Sequence, residues 1–517
     1  MNAALTPLEF LERSASVYRD KIATVNAGLS FTYAEYRVRV HRLASALRAL
    51  GTAKGDRVAV LAPNSLMALE PHFGVLMLDA VLVTLNTRLA AAELVWILNH
   101  CGAKILLADP ALLEPLRPFL KDCPAIEHVI EDYESLMASG SAPLDNPPSI
   151  DENSMCCINY TSGTTGFPKG VMFTHRGATL NALGEVIEHG LNERTVYLWI
   201  VPLFHCNGWC FSWAVTAAGG RNILLRQVDS KTIAETILRE KVTHLCGAPV
   251  VVGMLTQYCE QNQITFSHGL RILTAGAPPS PAVIRAAESM GADVAHAYGL
   301  TETYGPHTIC AWRSEWDALP VADRARLKAR QGVSYIIAGT GTRVVDEQMN
   351  DVPADGQTMG EVVMRGNNVM LGYYANPEAT AEAFRGGWFH SGDIAVMHPD
   401  GYIELRDRAK DIVISGGENI SSIEVEKTIY DHPAVAECAV VAMPDPKWGE
   451  VPKAFVALKD GAAVTEQELI DYCRARISHF KCPKAVEFGP LPKTATGKIR
   501  KNELRARVWE GKEKRIN

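Results

Sequence analysis

The residues best suited to chemistry in this 517-residue chain lie at 161–170, reading TSGTTGFPKG. Gly163 and Gly166 let backbone amides converge on an anion. Thr161, Ser162, Thr164 and Thr165 add hydroxyls, and Lys169 adds a full positive charge. Together they make a cradle for a polyphosphate. It is not a Walker A loop, which needs Gly-Lys-Ser/Thr after a four-residue gap; Lys169 lies between Pro168 and Gly170. A Ser/Thr/Gly-rich surface loop has the same composition, so the segment alone leaves both readings open. A second stretch, 197–220, contains no Lys, Arg, Asp or Glu. Pro202, His205, Asn207, Gly208 and the Gly219-Gly220 pair interrupt it, which argues against a membrane span and for protein interior beside a pocket.

The elements that must position these residues follow a βαβα rhythm. Helices are expected over 37–50, 66–78 and 91–99, with strands at 56–61, 80–84 and 103–108. The stretch 154–160 reads as a strand feeding the loop, and 243–247 with 250–260, then 271–274 with 280–290, repeat the pattern. Such alternation implies parallel sheets covered by helices. Beyond Gly360 the character changes to short strands with glycine turns at 360–365, 387–393 and 401–405. A charged run, Arg406-Asp407-Arg408-Ala409-Lys410-Asp411, precedes a compact unit with strands at 412–414, 435–443 and 453–458 and helices at 421–430, 466–477 and 501–509. A boundary at that run is expected, although a solvated turn has the same spacing. The expectation is therefore an α/β protein: a large N-terminal domain, 1–407, of parallel and mixed sheets covered by helices, a hinge at 408–411, and a small mobile α+β domain at 412–517.

Composition narrows the classes. A formal net charge of -7 gives no electrostatic footprint for nucleic acid or anionic lipid, so any anion must meet a local site. The N-terminus lacks the basic start and apolar core of a secretory signal. The 12 cysteines show no paired zinc spacing and read as reduced core thiols. No nucleic acid partner or integral membrane association is expected, and the location expected is cytoplasmic.

The segment 161–170 resembles the signature loop of the adenylate-forming (AMP-binding) superfamily, which includes acyl-CoA synthetases, peptide-synthetase adenylation domains and luciferases. Further signatures follow in the family's order: 296–302 (HAYGLTE), Gly360-Glu361 with Arg365-Gly366 and Gly372-Tyr373-Tyr374, 388–393 (WFHSGD), 408–418 and 492–498 (PKTATGK). The resemblance covers nearly the whole chain. It implies that a carboxylate attacks the α-phosphate of ATP, so neutralising and aligning two anions is the main task.

By the same resemblance, Thr161, Ser162, Gly163, Thr164, Thr165 and Lys169 hold the phosphates, Tyr298 packs against adenine, and Ala297, Gly299 and Thr301 belong to the ATP/AMP site. Glu302, with Thr164, is assigned to Mg²⁺, which favours one or two carboxylates plus phosphate oxygens and water. Asp393 accepts from the ribose hydroxyls, with Arg408 as its partner. Trp388 and Phe389 are expected to be core packing. Lys498 reaches the attacking carboxylate and the α-phosphate. Lys410 is the hinge on which the C-terminal domain rotates between half-reactions.

Coenzyme A is the acceptor that the resemblance favours. Ser415, Gly416 and Gly417 match the loop of a pantetheine channel. Trp448, Phe480, Lys481 and Lys484 match regions that meet the CoA nucleotide. The acyl pocket is expected at His205, Asn207, Gly208, Trp209, Val250, Gly276, Ala277 and Pro278, with His205 gating the thiol tunnel. An uncompensated substrate ammonium would be costly in the uncharged 197–220 stretch, which argues against amino acids. The acid expected is a short- to medium-chain fatty acid or a small aryl or thioether-substituted acid. The alternative is transfer of the acyl group to a non-CoA acceptor, as in amide synthetases or luciferases. The polar stretch 315–333 has no assigned function. Oligomeric state is open, a homodimer being one expectation.

Overall fold

The computed structural model describes residues 3–161, 168–408, 411–415, 418–493 and 499–510. The chain divides into two compact units: Met1–Thr342 with Met364–Phe389, and Arg343–Val363 with His390–Asn517.

The first unit is built on two sheets. In one, nine strands surround a parallel centre: Leu270–Thr274 and Ala292–Leu300 pair in parallel, as do His244–Gly247 with Leu270–Thr274 and with Val196–Trp199. The other has seven strands, in which Val81–Thr84 pairs in parallel with Arg57–Leu61 and with Met155–Tyr160. Buried runs such as Val81–Thr84 explain the continuous apolar wording: strands covered by helices on both faces have no solvent side. Antiparallel strands close the edges, Gly170–Thr174 against Met155–Tyr160 and Gly305–Ile309 against Ala292–Leu300. Helices pack the faces, among them Tyr33–Ala49, started by a Thr32/Glu35 capping box, and Pro249–Gln261. The helix expected over 66–78 is broken into Leu66–Leu69, Pro71–Gly74 and the 3₁₀ turn Leu76–Leu78. Pro71 has no amide hydrogen with which to continue the ladder.

The second unit carries a four-stranded sheet, including Met359–Met364, Phe389–Met397 and Ile403–Arg408, and a five-stranded one centred on Val435–Asp445 and Gly449–Leu458. Helices Ser422–Tyr430 and Glu466–Arg474 bury Val425, Ile429, Leu469 and Cys473 against the latter. The architecture is therefore α/β with a large sheet-and-helix part and a smaller α+β part. The residues expected to form a hinge fall within the second unit, and Lys410 lies outside the described residues.

Candidate active site

In parallel α/β sheets, ligands bind beyond the carboxyl ends of the strands, where loops leave the core. The expected site residues follow that rule. Thr161 follows Met155–Tyr160, His205 follows Val196–Trp199, Val250 follows His244–Gly247, Gly276 follows Leu270–Thr274, and Thr301 follows Ala292–Leu300. Four of these strands run parallel in one sheet, so their loops emerge on one edge.

Two charges far apart in sequence meet at one aromatic ring. The Lys169 ammonium stands 4.7 Å from the centroid of Tyr373. The Tyr373 hydroxyl donates a 2.8 Å hydrogen bond to Oε1 of Glu302. Burial, reinforced by the Glu302 charge, pushes the Tyr373 phenol well above its usual range, so it keeps its proton and remains a donor. Tyr373 is held by Gly372–Tyr373 pairing with Gly170–Thr174, the strand that begins just after Lys169. The sequence placed Tyr373 in a signature without a role; it connects the two charges.

Ala297 and Tyr298 are buried in Ala292–Leu300. Gly299 is required there, since a Cβ would stand 1.9 Å from the Gly305 carbonyl oxygen. Thr301 begins a 3₁₀ turn, Thr301–Thr303, and its hydroxyl lies 3.7 Å from the Cys206 thiol. The 315–333 stretch folds into Ser314–Ala318, Val321–Lys328 and Val333–Ser334. It supports the same strand: the Arg330 carbonyl pairs with His296 Nδ1 at 3.0 Å, and Lys328 bridges Glu288 and Asp293.

The acyl region has unusual backbone. Cys206, Asn207, Gly208, Trp209 and Cys210 all have positive φ, between 43° and 63°, making a left-handed turn. Left-handed backbone costs roughly 1–2 kcal/mol per non-glycine residue, so surrounding contacts must hold it. Gly208 lies against Trp199, whose ring a Cβ would approach to 2.5 Å. Trp209 is buried beside Gly305, and His205 is half-buried. Val250, Gly276 and Ala277 are exposed and Pro278 is half-buried, so these four reach the surface. Asn207 exposes none of its surface; its amide is engaged with protein groups instead.

In the second unit, Asp393 and Arg408 face each other in antiparallel register and pair at 3.1 Å, Arg408 Nε to Asp393 Oδ1. Glu361 holds the turn before Asp393: its carboxylate accepts from Gly392 N at 3.0 Å and pairs with His390 Nδ1 at 2.8 Å. The Gly360-Glu361 and 388–393 signatures held both sides of this support in sequence, without a role for either. In the first unit, Phe389 is buried as expected, while Trp388 is half-buried with the Arg365 guanidinium 4.6 Å over its ring. Among residues expected to meet CoA, Trp448 and Phe480 are exposed, and Ser415 pairs with Gly449. Lys484 is exposed, whereas Lys481 is bound to Glu424 at 2.8 Å. Ser162, Gly163, Thr164, Thr165, Gly416, Gly417 and Lys498 lie outside the described residues.

Residues 11–374 match the family described as AMP-binding enzyme, and 424–498 match the AMP-binding enzyme C-terminal domain. A 4-hydroxybutyrate–CoA ligase of Metallosphaera sedula is 46% identical, over 99% of this chain and 96% of its own. An acetate–CoA ligase of Humulus lupulus is also 46% identical, over 98% of this chain and 95% of its own. Among solved structures, an anthranilate CoA ligase in complex with anthranoyl-AMP superposes with a TM-score of 0.88 at 26% identity, covering 98% of both chains.

Proposed function

The chain belongs to the AMP-binding enzyme family, and from that premise we propose that it activates a short aliphatic carboxylic acid at the loop edge of its first unit, using the residues assigned below. It is an ATP-dependent, AMP-forming acid–thiol ligase with ATP, Mg²⁺ and coenzyme A as co-substrates. The observation that carries the residue assignment is the convergence of Lys169 and Glu302 on Tyr373.

In the first half-reaction, a carboxylate oxygen attacks the α-phosphorus. The bridging P–O bond breaks, and pyrophosphate leaves with the electron pair. Lys169 and the loop amides neutralise the phosphates, a task suited to fixed charge in a sheltered site. Glu302, with Thr164, would hold Mg²⁺, which when bound supplies charge to the polyphosphate. A single carboxylate with one oxygen oriented by a phenol fits an ion that takes most of its ligands from phosphate and water. Asp393, steadied by Arg408 and by the Glu361-held turn, accepts the ribose hydroxyls. Lys498 brings the attacking carboxylate to the α-phosphate. In the second half-reaction the CoA thiolate attacks the acyl carbon and AMP leaves, with His205 gating thiol entry, Lys410 as the pivot, and Ser415, Trp448, Phe480 and Lys484 toward CoA.

Three features support a short acid. No acidic residue lies between Tyr197 and Gly220, Trp209 fills the interior beside Gly305, and the relatives named above take 4-hydroxybutyrate and acetate. Among the described residues no helix is long and apolar enough to cross a membrane. All 12 cysteines are buried thiols, which suits a reducing compartment, and we place the chain in the cytoplasm.

A carboxylic-acid panel from acetate to palmitate, with amino and aryl acids included, assayed for AMP formation with and without CoA, tests the assignment. Turnover should peak among C2–C6 aliphatic acids and require CoA. A peak at long chains or amino acids would overturn the substrate class. Lys498→Ala should abolish adenylation yet spare thioester formation from supplied acyl-adenylate; equal loss of both steps would remove Lys498 from its role.

A further inference from the structure

Behind the site lies a hydrogen-bond array that the mechanism above does not use. At its centre is Asn207, whose side chain meets three others: Asn159 Nδ2 donates to its Oδ1, Tyr304 OH approaches the same oxygen at 3.4 Å, and its own Nδ2 stands 3.1 Å from His72 Nε2. The direction of the last bond is fixed. His72 Nδ1 lies 2.9 Å from the Ala68 carbonyl oxygen, which can only accept, so Nδ1 carries the hydrogen and Nε2 accepts from Asn207. Burial lowers the His72 pKa to about 4, keeping the ring neutral. At the other end, the Thr84 hydroxyl lies 3.0 Å from Asn159 Oδ1 and 3.3 Å from the Phe204 carbonyl oxygen. Thr84, Asn159, Asn207, His72 and Tyr304 are all buried.

The array touches three segments of the candidate site. Asn159 precedes Thr161 by two residues, on the strand that feeds the phosphate loop. Phe204 and Asn207 lie on either side of His205, Asn207 within the left-handed turn that follows it. Tyr304 follows Glu302 by two residues. We propose that Asn207 is a positioning residue: its amide, with Thr84, Asn159, His72 and Tyr304, fixes the end of the strand Met155–Tyr160, the acyl wall and the turn that carries Glu302 relative to one another. This rests on the adenylation reading given above. The backbone at Asn207, φ 46° and ψ 47°, is left-handed, a region that asparagine tolerates and glycine enters freely. Asn207→Gly therefore removes the amide while leaving the turn accessible.

Wild type, Asn207→Gly, Thr84→Val and Thr84→Ser should be compared by ATP–pyrophosphate exchange with butyrate and by thermal unfolding. A misplacement of about 1 Å can cost about 10²-fold in rate. Asn207→Gly should accordingly lose about 10²-fold in exchange kcat, with the KM for ATP held within about threefold. Thr84→Val should lose about tenfold in kcat, and Thr84→Ser, which keeps the hydroxyl, should return to within about twofold of wild type. A folded Asn207→Gly or Thr84→Val with wild-type kcat and only a lower Tm overturns the inference. So does Thr84→Ser failing as badly as Thr84→Val. If Asn207→Gly does not fold, the Thr84 pair decides. Absence of exchange in the wild type with every acid overturns the adenylation reading, and this inference with it.

Discussion

The two units hold their chemistry in different ways. In the first, site groups are braced by buried neutral side chains: Glu302 by the Tyr373 phenol, and the turn that follows His205 by the Asn207 amide. In the second, the expected ligand groups are held by ion pairs, Arg408 with the buried Asp393 and the more solvated Lys481 with Glu424, while Trp448 and Phe480 are exposed. Buried hydrogen bonds fix geometry closely but leave costly unsatisfied groups if broken. Solvated pairs are worth little and exchange partners easily. A site that must align two anions needs the first kind of support, and a surface that receives a large, charged thiol can work with the second.

Four substitutions would break or sharpen that contrast. The largest effect is expected from Glu302→Gln, which keeps an acceptor for Tyr373 but removes the charge. Pyrophosphate exchange should fall by about 10³-fold, in the range lost with a main electrostatic stabiliser, and excess Mg²⁺ should not restore it. Asp393→Asn should follow, raising the KM for ATP about tenfold or more, because one ribose acceptor becomes a donor facing Arg408. Lys481→Ala should leave exchange unchanged and raise the KM for CoA by no more than about threefold, since that lysine is already paired with Glu424. A larger CoA effect would mean that the pair opens to receive phosphate.

The smallest effect concerns acid stability of the second unit. Burial works to raise the pKa of Glu404, but His398, Lys427 and Arg406 outweigh it and hold the carboxyl at about 2, below the ordinary 4.5. A lowered folded-state pKa adds stability that is full above about 4.5 and is lost as pH falls toward about 2. Lys427→Met should weaken that hold, so urea midpoints of wild type and variant should differ at pH 6 and converge only as pH approaches about 2. A gap that persists in acid would assign the loss to packing.

Much of the fold was legible because its strands are buried on both faces and so read as continuous apolar runs; 80–84 and 103–108 were expected almost to the residue. The charge-bearing residues were assigned by type and order alone, and of these Asp393 and Arg408 are found paired. The supports were not. The Tyr373–Glu302 bond joins residues 71 apart, a separation that no local period encodes. The left-handed turn has one glycine among five residues, so propensity gives no sign of it; it persists because Trp199, Asn159 and His72 confine it. Asn207 read as a pocket residue by its neighbours in sequence, whereas its contacts face the interior.

The most direct test is a product balance. With purified protein, Mg²⁺-ATP, butyrate and CoA, AMP, pyrophosphate and butyryl-CoA should appear in equal amounts, and omitting CoA should stop turnover after about one AMP-bound equivalent per active site. Formation of ADP, or sustained AMP release without CoA, would contradict the account.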